Sequence, residues 1–237
     1  MAKPSTALST FAFGLLLMSC SSPPVVSTHS QAVHSETYVD SDFIWQLAFP
    51  PPPAADSELQ RAEQATVEDW RDRRSEEDCR RAQQQHFVDF RLLWGEQSPF
   101  VEPLPAELSA LFERLDQELG QATRALKDHY QRPRPAAELS CNASGKSAKS
   151  FAYPSGHAAF SRLFALVLAE LVPARREEFL QRADAIALDR VISGVHFPSD
   201  IEAGKLLAEA YYEELSTSPK YQQELEQLRK LVVSSAD

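Results

Sequence analysis

A chain of 237 residues, 43% of them hydrophobic, is long enough for one well-buried domain and short for two. A formal net charge of −10 at pH 7 argues against nucleic acid as a partner, and any small anionic substrate would need a local cluster of Lys and Arg. Seven Gly and sixteen Pro, against a background rich in Ala, Leu, Glu, Gln and Arg, point to helices with proline-marked boundaries.

The apolar run Phe11 to Met18 is too short to span a bilayer. It follows a weakly basic start at Lys3 and ends Leu17-Met18-Ser19-Cys20, so residues 1–19 read as a secretory signal peptide. The small residue before Cys20 resembles a bacterial lipobox, in which the cysteine becomes the lipidated first residue of the mature chain. Ordinary cleavage nearby, leaving a soluble periplasmic protein, is the alternative. Ser21 and Ser22, with no Asp beside the cysteine, favour the outer membrane by analogy with lipoprotein sorting. The expected product is a periplasm-facing outer-membrane lipoprotein that touches the membrane through its anchor alone. Residues 20–42 read as a flexible tether and residues 43–237 as the domain. Cys79 and Cys141 remain; an even pair in an oxidising compartment reads as a disulfide, with two separate buried thiols as the alternative.

Phe43 to Phe49 carries aromatics, and Pro50-Pro51-Pro52-Pro53 is a stiff extended segment. Ser57 with Gln60 has the form of a capping box ahead of a helix over about 58–70. A second helix is expected from Ser75 to about 93, and a third from Pro105 to about Tyr130, where Leu108, Leu111, Phe112, Leu115 and Leu119 recur at helical spacing. Arg132 to Tyr153 is a long irregular segment of the kind that borders functional sites. Phe160, Leu163, Phe164, Leu166, Val167, Leu168 and Leu171 leave helix 157–171 little polar surface, so it belongs at the centre of the core. Pro173, Pro198 and Pro219 open further helices. No stretch alternates with a period of two, and the expected fold is all-α, with six to eight helices around helix 157–171.

Three clusters carry the chemistry. They are Lys127 with Arg134-Pro135; Pro154-Ser155-Gly156-His157; and Arg190 with His196 and Asp200. Ser155-Gly156 just before a helix places backbone N–H groups and the positive end of a helix dipole where an anion can bind. A phosphate monoester carries close to two negative charges, and Lys127, Arg134 and Arg190 supply three positive ones. Each charge-assisted hydrogen bond contributes roughly 1.5–3 kcal/mol. His196 and Asp200, four apart across Pro198, suit a nucleophilic imidazole whose other nitrogen is held by a carboxylate. His157 is placed to protonate the leaving group and then to activate water. His29, His34, His86 and His129 lack such company, and His129, two residues from Lys127 and so pointing elsewhere on its helix, reads as structural.

These three clusters resemble the signature of the type 2 phosphatidic acid phosphatase superfamily, which includes vanadium haloperoxidases. The likeness is strongest to the bacterial class A nonspecific acid phosphatases, in the proline run 50–53 and in Arg190-Val191-Ile192-Ser193-Gly194-Val195-His196. It covers about Pro50 to Leu215. The resemblance implies a broad-specificity acid phosphatase acting on small phosphomonoesters with no cofactor and no metal. It implies a phosphohistidine on His196, His157 as acid, and phosphate binding by Lys127, Arg134, Ser155, Gly156 and Arg190. Rival readings are a membrane-tethered lipid phosphate or diphosphate phosphatase, a vanadate-dependent haloperoxidase and a non-catalytic phosphate-binding lipoprotein. One position departs from the family pattern: Asp189 stands where the family has Ser. Facing away from the phosphate it would be harmless; facing inward it would weaken anion binding.

Overall fold

Side-chain caps and prolines cut the chain into helices. In the computed structural model, which describes residues 37–85, 89–141 and 150–232, these are α1 (Phe43–Gln46), α2 (Glu58–Arg73), α3 (Glu76–Gln84), α4 (Phe90–Trp94), α5 (Ala106–Tyr130), α6 (Gly156–Leu171), α7 (Arg176–Ile192), α8 (Pro198–Ser216) and α9 (Pro219–Arg229). No strand occurs among the described residues, and the fold is all-α. The signal peptide, Cys20, most of the tether, His29, His34 and His86 lie outside the described residues.

Two boundaries differ from the sequence expectation. The helix expected from Ser75 to about 93 is two helices. Ser75 and Asp78 form a reciprocal capping box on α3, and Asp89 starts α4 by accepting from the Leu92 N–H at 3.1 Å. A short acidic side chain satisfies a helix start better than a helix interior, so Asp89 marks a boundary. The folded part also begins earlier than residue 43. Tyr38 and Val39 are buried, and their N–H groups donate to the Glu118 carboxylate on α5. Their apolar bulk gives them a place in the core that the polar surroundings of residues 20–42 conceal.

α6 is the hub. Its apolar residues meet α5, α7 and α8, and Tyr221, Leu225 and Leu228 of α9 complete the main core. Burying each such side chain contributes about 1.5–3 kcal/mol. A smaller apolar cluster of Val67, Leu139, Ala158, Ala187, Val191, Phe197 and Ile201 lies where α2, α6, α7 and α8 converge. α3 is joined to the segment after α5 by a Cys79–Cys141 disulfide, with the two Cα atoms 5.4 Å apart. No helix among the described residues is long and apolar enough to cross a membrane.

The first turn of α8 lies directly against the first turn of α6. Ser155 donates its N–H to the Asp200 carbonyl at 2.8 Å, and a Cβ at Gly204 would sit 2.4 Å from the Ser155 carbonyl and 2.9 Å from the Ala158 Cβ. Backbone cannot yield as a flexible side chain can, so only glycine permits this approach. Gly204→Ala is expected to destabilise the fold by about 1–3 kcal/mol through overpacking, read as a lowered urea midpoint at an unchanged slope.

Candidate active site

The α7–α8 connection fixes the spacing from Arg190 to His196. α7 ends in a Schellman turn: Gly194 N–H donates to the Val191 carbonyl at 2.9 Å and Val195 N–H to the Arg190 carbonyl at 3.1 Å. Gly194 has φ of +72°, and a Cβ there would lie 2.0 Å from the Leu139 carbonyl, so the turn requires glycine twice over. The turn leaves Arg190 in the last turn of α7 and delivers His196 as the chain enters α8. Pro198 then opens α8, and Asp200 falls in its first turn, from which it reaches back. Its Oδ2 accepts from the Phe197 N–H at 2.8 Å and lies 3.1 Å from His196 Nδ1.

The other ring nitrogen meets Arg134, whose Nη1 is 3.1 Å from His196 Nε2 and also donates to the Val195 carbonyl at 2.7 Å. A guanidinium donates and does not accept. Nε2 therefore presents its lone pair, and Nδ1 carries the proton toward Asp200. Arg134 is further held by the Ser150 carbonyl at 2.8 Å. Lys127, near the end of α5, is buried and donates to the carbonyls of Phe151 and Ala152 at 2.6 and 3.1 Å.

Burial, followed by the charges of Arg134, Lys127 and Arg190 and by His157, holds the His196 pKa well below its ordinary value. These groups, distant in sequence, act on a single ring. Burial likewise pushes Lys127 down to about 7, with Arg134 adding to the effect and Asp200 opposing it. Arg190 falls to about 10 through burial and then Arg134, again against the pull of a carboxylate, Asp189.

Ser155 is the N-cap of α6, its hydroxyl at a long 3.5 Å from the Ala158 N–H. The first turn, Gly156 and His157, lies beside Asp200 through the backbone bond from Ser155 already described. His157 Nε2 is 2.9 Å from the Gln85 carbonyl. The proline run is also accounted for: the Pro50 carbonyl accepts from the Tyr153 hydroxyl at 2.6 Å, bracing the loop ahead of α6. His129 packs its ring against Trp45 and Tyr130 and takes no part in the cluster.

Arg132 is the residue that sequence reasoning missed. It is buried, and Nη1 donates to Asp200 Oδ1 at 2.5 Å and to the Ser199 hydroxyl at 2.8 Å. Nη2 reaches Gln60 Oε1 at 2.6 Å and Glu63 Oε2 at 2.7 Å. This is why the capping box expected at Ser57 is half formed: Ser57 accepts from the Gln60 N–H, while the Gln60 side chain turns to Arg132. Glu63 also accepts from the Ser199 N–H at 2.6 Å. The one available signal was a second Arg-Pro pair, Arg132-Pro133, directly before Arg134-Pro135.

Residues 118–216, which carry the two imidazoles and three cations of this cluster, match the PAP2 superfamily. Among curated proteins, the chain is 33% identical over 137 residues to a non-specific acid phosphatase of Providencia stuartii, covering 55% of each chain. It is 35% identical over 114 residues to one of Salmonella typhimurium, covering 46% of each. The chain thus spans about half the length of the curated relatives it matches. Among solved structures, a transmembrane PAP2 type phosphatidylglycerolphosphate phosphatase from Bacillus subtilis aligns with a TM-score of 0.47 at 18% identity, over 68% of this chain and 87% of that one.

Removing Arg132 would strand two buried carboxylates, Asp200 and Glu63. Arg132→Met is expected to cost about 3–5 kcal/mol, measured by urea unfolding at pH 7. Part of that loss is expected to return when Glu63→Gln is added, since one of the two stranded charges is then gone while Asp200 remains.

Proposed function

We propose that the chain hydrolyses phosphate monoesters through a phosphohistidine on His196. The observation that carries this reading is the His196 ring itself: Nδ1 tied to Asp200 and the Nε2 lone pair turned to Arg134, inside a cluster of cations. An entering phosphoryl group takes over Arg134 from Nε2, which frees the lone pair as the substrate arrives. Nε2 then attacks phosphorus, a P–N bond forms and the ester P–O bond breaks. His157 gives its proton to the departing alkoxide. Asp200 stabilises the positive charge that the substituted ring acquires. In the second half, water attacks phosphorus and loses a proton to His157, the P–N bond breaks, and inorganic phosphate leaves with both groups restored.

Lys127, Arg134, Arg190, Ser155 and the first-turn N–H groups of α6 hold the equatorial oxygens, over which the transition state spreads its charge. Side chains supply that charge, so turnover is expected to persist in chelator. With residues 1–19 as a leader and Cys20 lipidated, this chemistry faces the periplasm.

The pH dependence follows from two groups. His196 is held well below its ordinary pKa, so it remains the neutral nucleophile in mild acid. Lys127, at about 7, loses its proton as pH rises through that value, and the free enzyme then loses an anion-binding charge. A bound dianion favours charged Lys127, so kcat declines at higher pH than kcat/KM. With 4-nitrophenyl phosphate in chelator, kcat/KM is expected to fall above about pH 7, chiefly through KM. His196→Ala is expected to lose about a thousandfold or more in turnover. A rate still rising above pH 8, or a fully active His196→Ala, would sink the reading.

A further inference from the structure

The departure at Asp189 has a structural role. Asp189 is buried at 3% exposure, one residue before Arg190, and both its oxygens are taken by α3. Arg81 reaches Oδ1 at 2.7 Å through Nη2, and both oxygens at 3.1 and 3.0 Å through Nε. Gln85 Nε2 donates to Oδ2 at 3.0 Å. The carboxylate is therefore paired with Arg81 and offsets only part of the cationic cluster through its pull on Arg190.

Gln85 does two things at once. Its side chain binds Asp189, and its backbone carbonyl lies 2.9 Å from His157 Nε2. One turn earlier, the Ala82 carbonyl accepts from Arg190 Nη1 at 3.3 Å. The negative end of α3 thus meets two side chains of the site. A carbonyl only accepts, so Nε2 of His157 carries a proton and Nδ1 is the nitrogen whose protonation changes.

We propose that Asp189 is a positioning residue for His157: by clamping Arg81 and Gln85 it fixes the carbonyl that sets the tautomer and orientation of the His157 ring. The clamp is one of several ties on α3. The Cys79–Cys141 disulfide and the bond from Gln83 Nε2 to the Cys141 carbonyl at 2.9 Å persist without it. Arg81 also keeps a second partner, Asp78, at 2.9 Å. Loss of Asp189 loosens the end of α3 and leaves the helix attached.

The catalytic consequence rests on the phosphatase reading above; the ring geometry does not. The experiment compares the parent chain with Asp189→Ala, Asp189→Asn, Gln85→Ala and the Asp189→Ala/Gln85→Ala double variant, each checked for an intact thermal transition. Kinetics are read with 4-nitrophenyl phosphate, and the His157 imidazole by its nitrogen-15 chemical shifts in histidine-labelled protein. Asp189→Ala is expected to lower kcat about 10- to 100-fold, the scale of a small misplacement of a reacting group, with KM within about twofold. Its His157 shifts are expected to move from a pure Nε2–H pattern toward a mixture of tautomers. Asn retains an acceptor for Gln85, so Asp189→Asn is expected to recover most of kcat. The double variant is expected to be little worse than Asp189→Ala, because both changes break one chain of contacts. Raised KM at unchanged kcat would overturn the proposal, since Asp189 would then act on anion binding. Unchanged His157 shifts in Asp189→Ala would overturn it as well. If the parent turns over no phosphate monoester, the proposed function fails and the His157 shifts alone decide this inference. If Asp189→Ala does not fold, Asp189→Asn and Gln85→Ala read the same two quantities.

Discussion

A single buried carboxylate organises the centre of this protein. Asp200 is completely buried, and burial alone would drive its proton affinity up. Arg132 on one oxygen, and the Phe197 N–H and His196 Nδ1 on the other, satisfy it. Two partners are local to the start of α8, while Arg132 comes from 68 residues away and extends the connection to Gln60 and Glu63 on α2. An unpaired charge in such a place costs several kcal/mol, whereas a fully bonded one fixes geometry. The carboxylate that orients the His196 ring is thus also the point at which α2, the segment after α5, and α8 are joined.

The spacings within the three clusters are consequences of helix ends. The six residues between Lys127 and Arg134 span the last turn of α5, a left-handed cap at Gln131 with φ of 48°, and an irregular turn that sends Arg132 inward and Arg134 toward His196. The five between Arg190 and His196 are a Schellman turn and an extended exit. The three between His196 and Asp200 are the distance from the approach of α8 to its first turn. Helix ends are where backbone dipoles and unsatisfied groups concentrate. Gathering the C-termini of α5 and α7 and the N-termini of α6 and α8 at one point creates polarity that a packed helix face cannot.

Local spacing made each cluster legible by itself: Lys127 with Arg134, Ser155 with His157, and Arg190 with His196 and Asp200 stand at offsets that suit helix ends. The meeting of the three clusters came from their co-occurrence and from the family resemblance. α6 was legible as the hub because an all-round apolar helix has only one place to go. Arg132, Glu63, Arg81, Gln85 and Gly204 were not. Arg132 and Glu63 are 69 residues apart, and Arg81 and Asp189 are 108 apart. In isolation each resembles an ordinary solvated residue on a helix, since nothing local distinguishes a buried pair from two exposed charges. Gly204 has an unremarkable helical setting, and its requirement arises from the approach of α6, a tertiary fact. The burial of Tyr38 and Val39 was hidden for the same reason: the partner, Glu118, is far along the chain.

The cationic cluster explains why so much buried bonding surrounds a small site. Lys127, Arg134 and Arg190 all act on His196, and Arg134 depresses the proton affinity of both Lys127 and Arg190. These like charges repel one another, and burial leaves little water to screen them. The fold tolerates this by giving Lys127 and Arg134 backbone carbonyls as partners and by keeping Asp200 and Asp189 nearby as compensating charges. Both carboxylates are already committed to arginines of their own, Arg132 and Arg81. Each can offset part of the positive field while remaining too well satisfied to capture Lys127, Arg134 or Arg190 as an ion-pair partner. What remains is a surplus of positive potential held on rigid helix ends. On the proposed phosphatase reading an oxyanion relieves it, most fully when its charge is spread over several oxygens. Under the proposed function, that surplus is what favours a phosphoryl transition state over a neutral ligand.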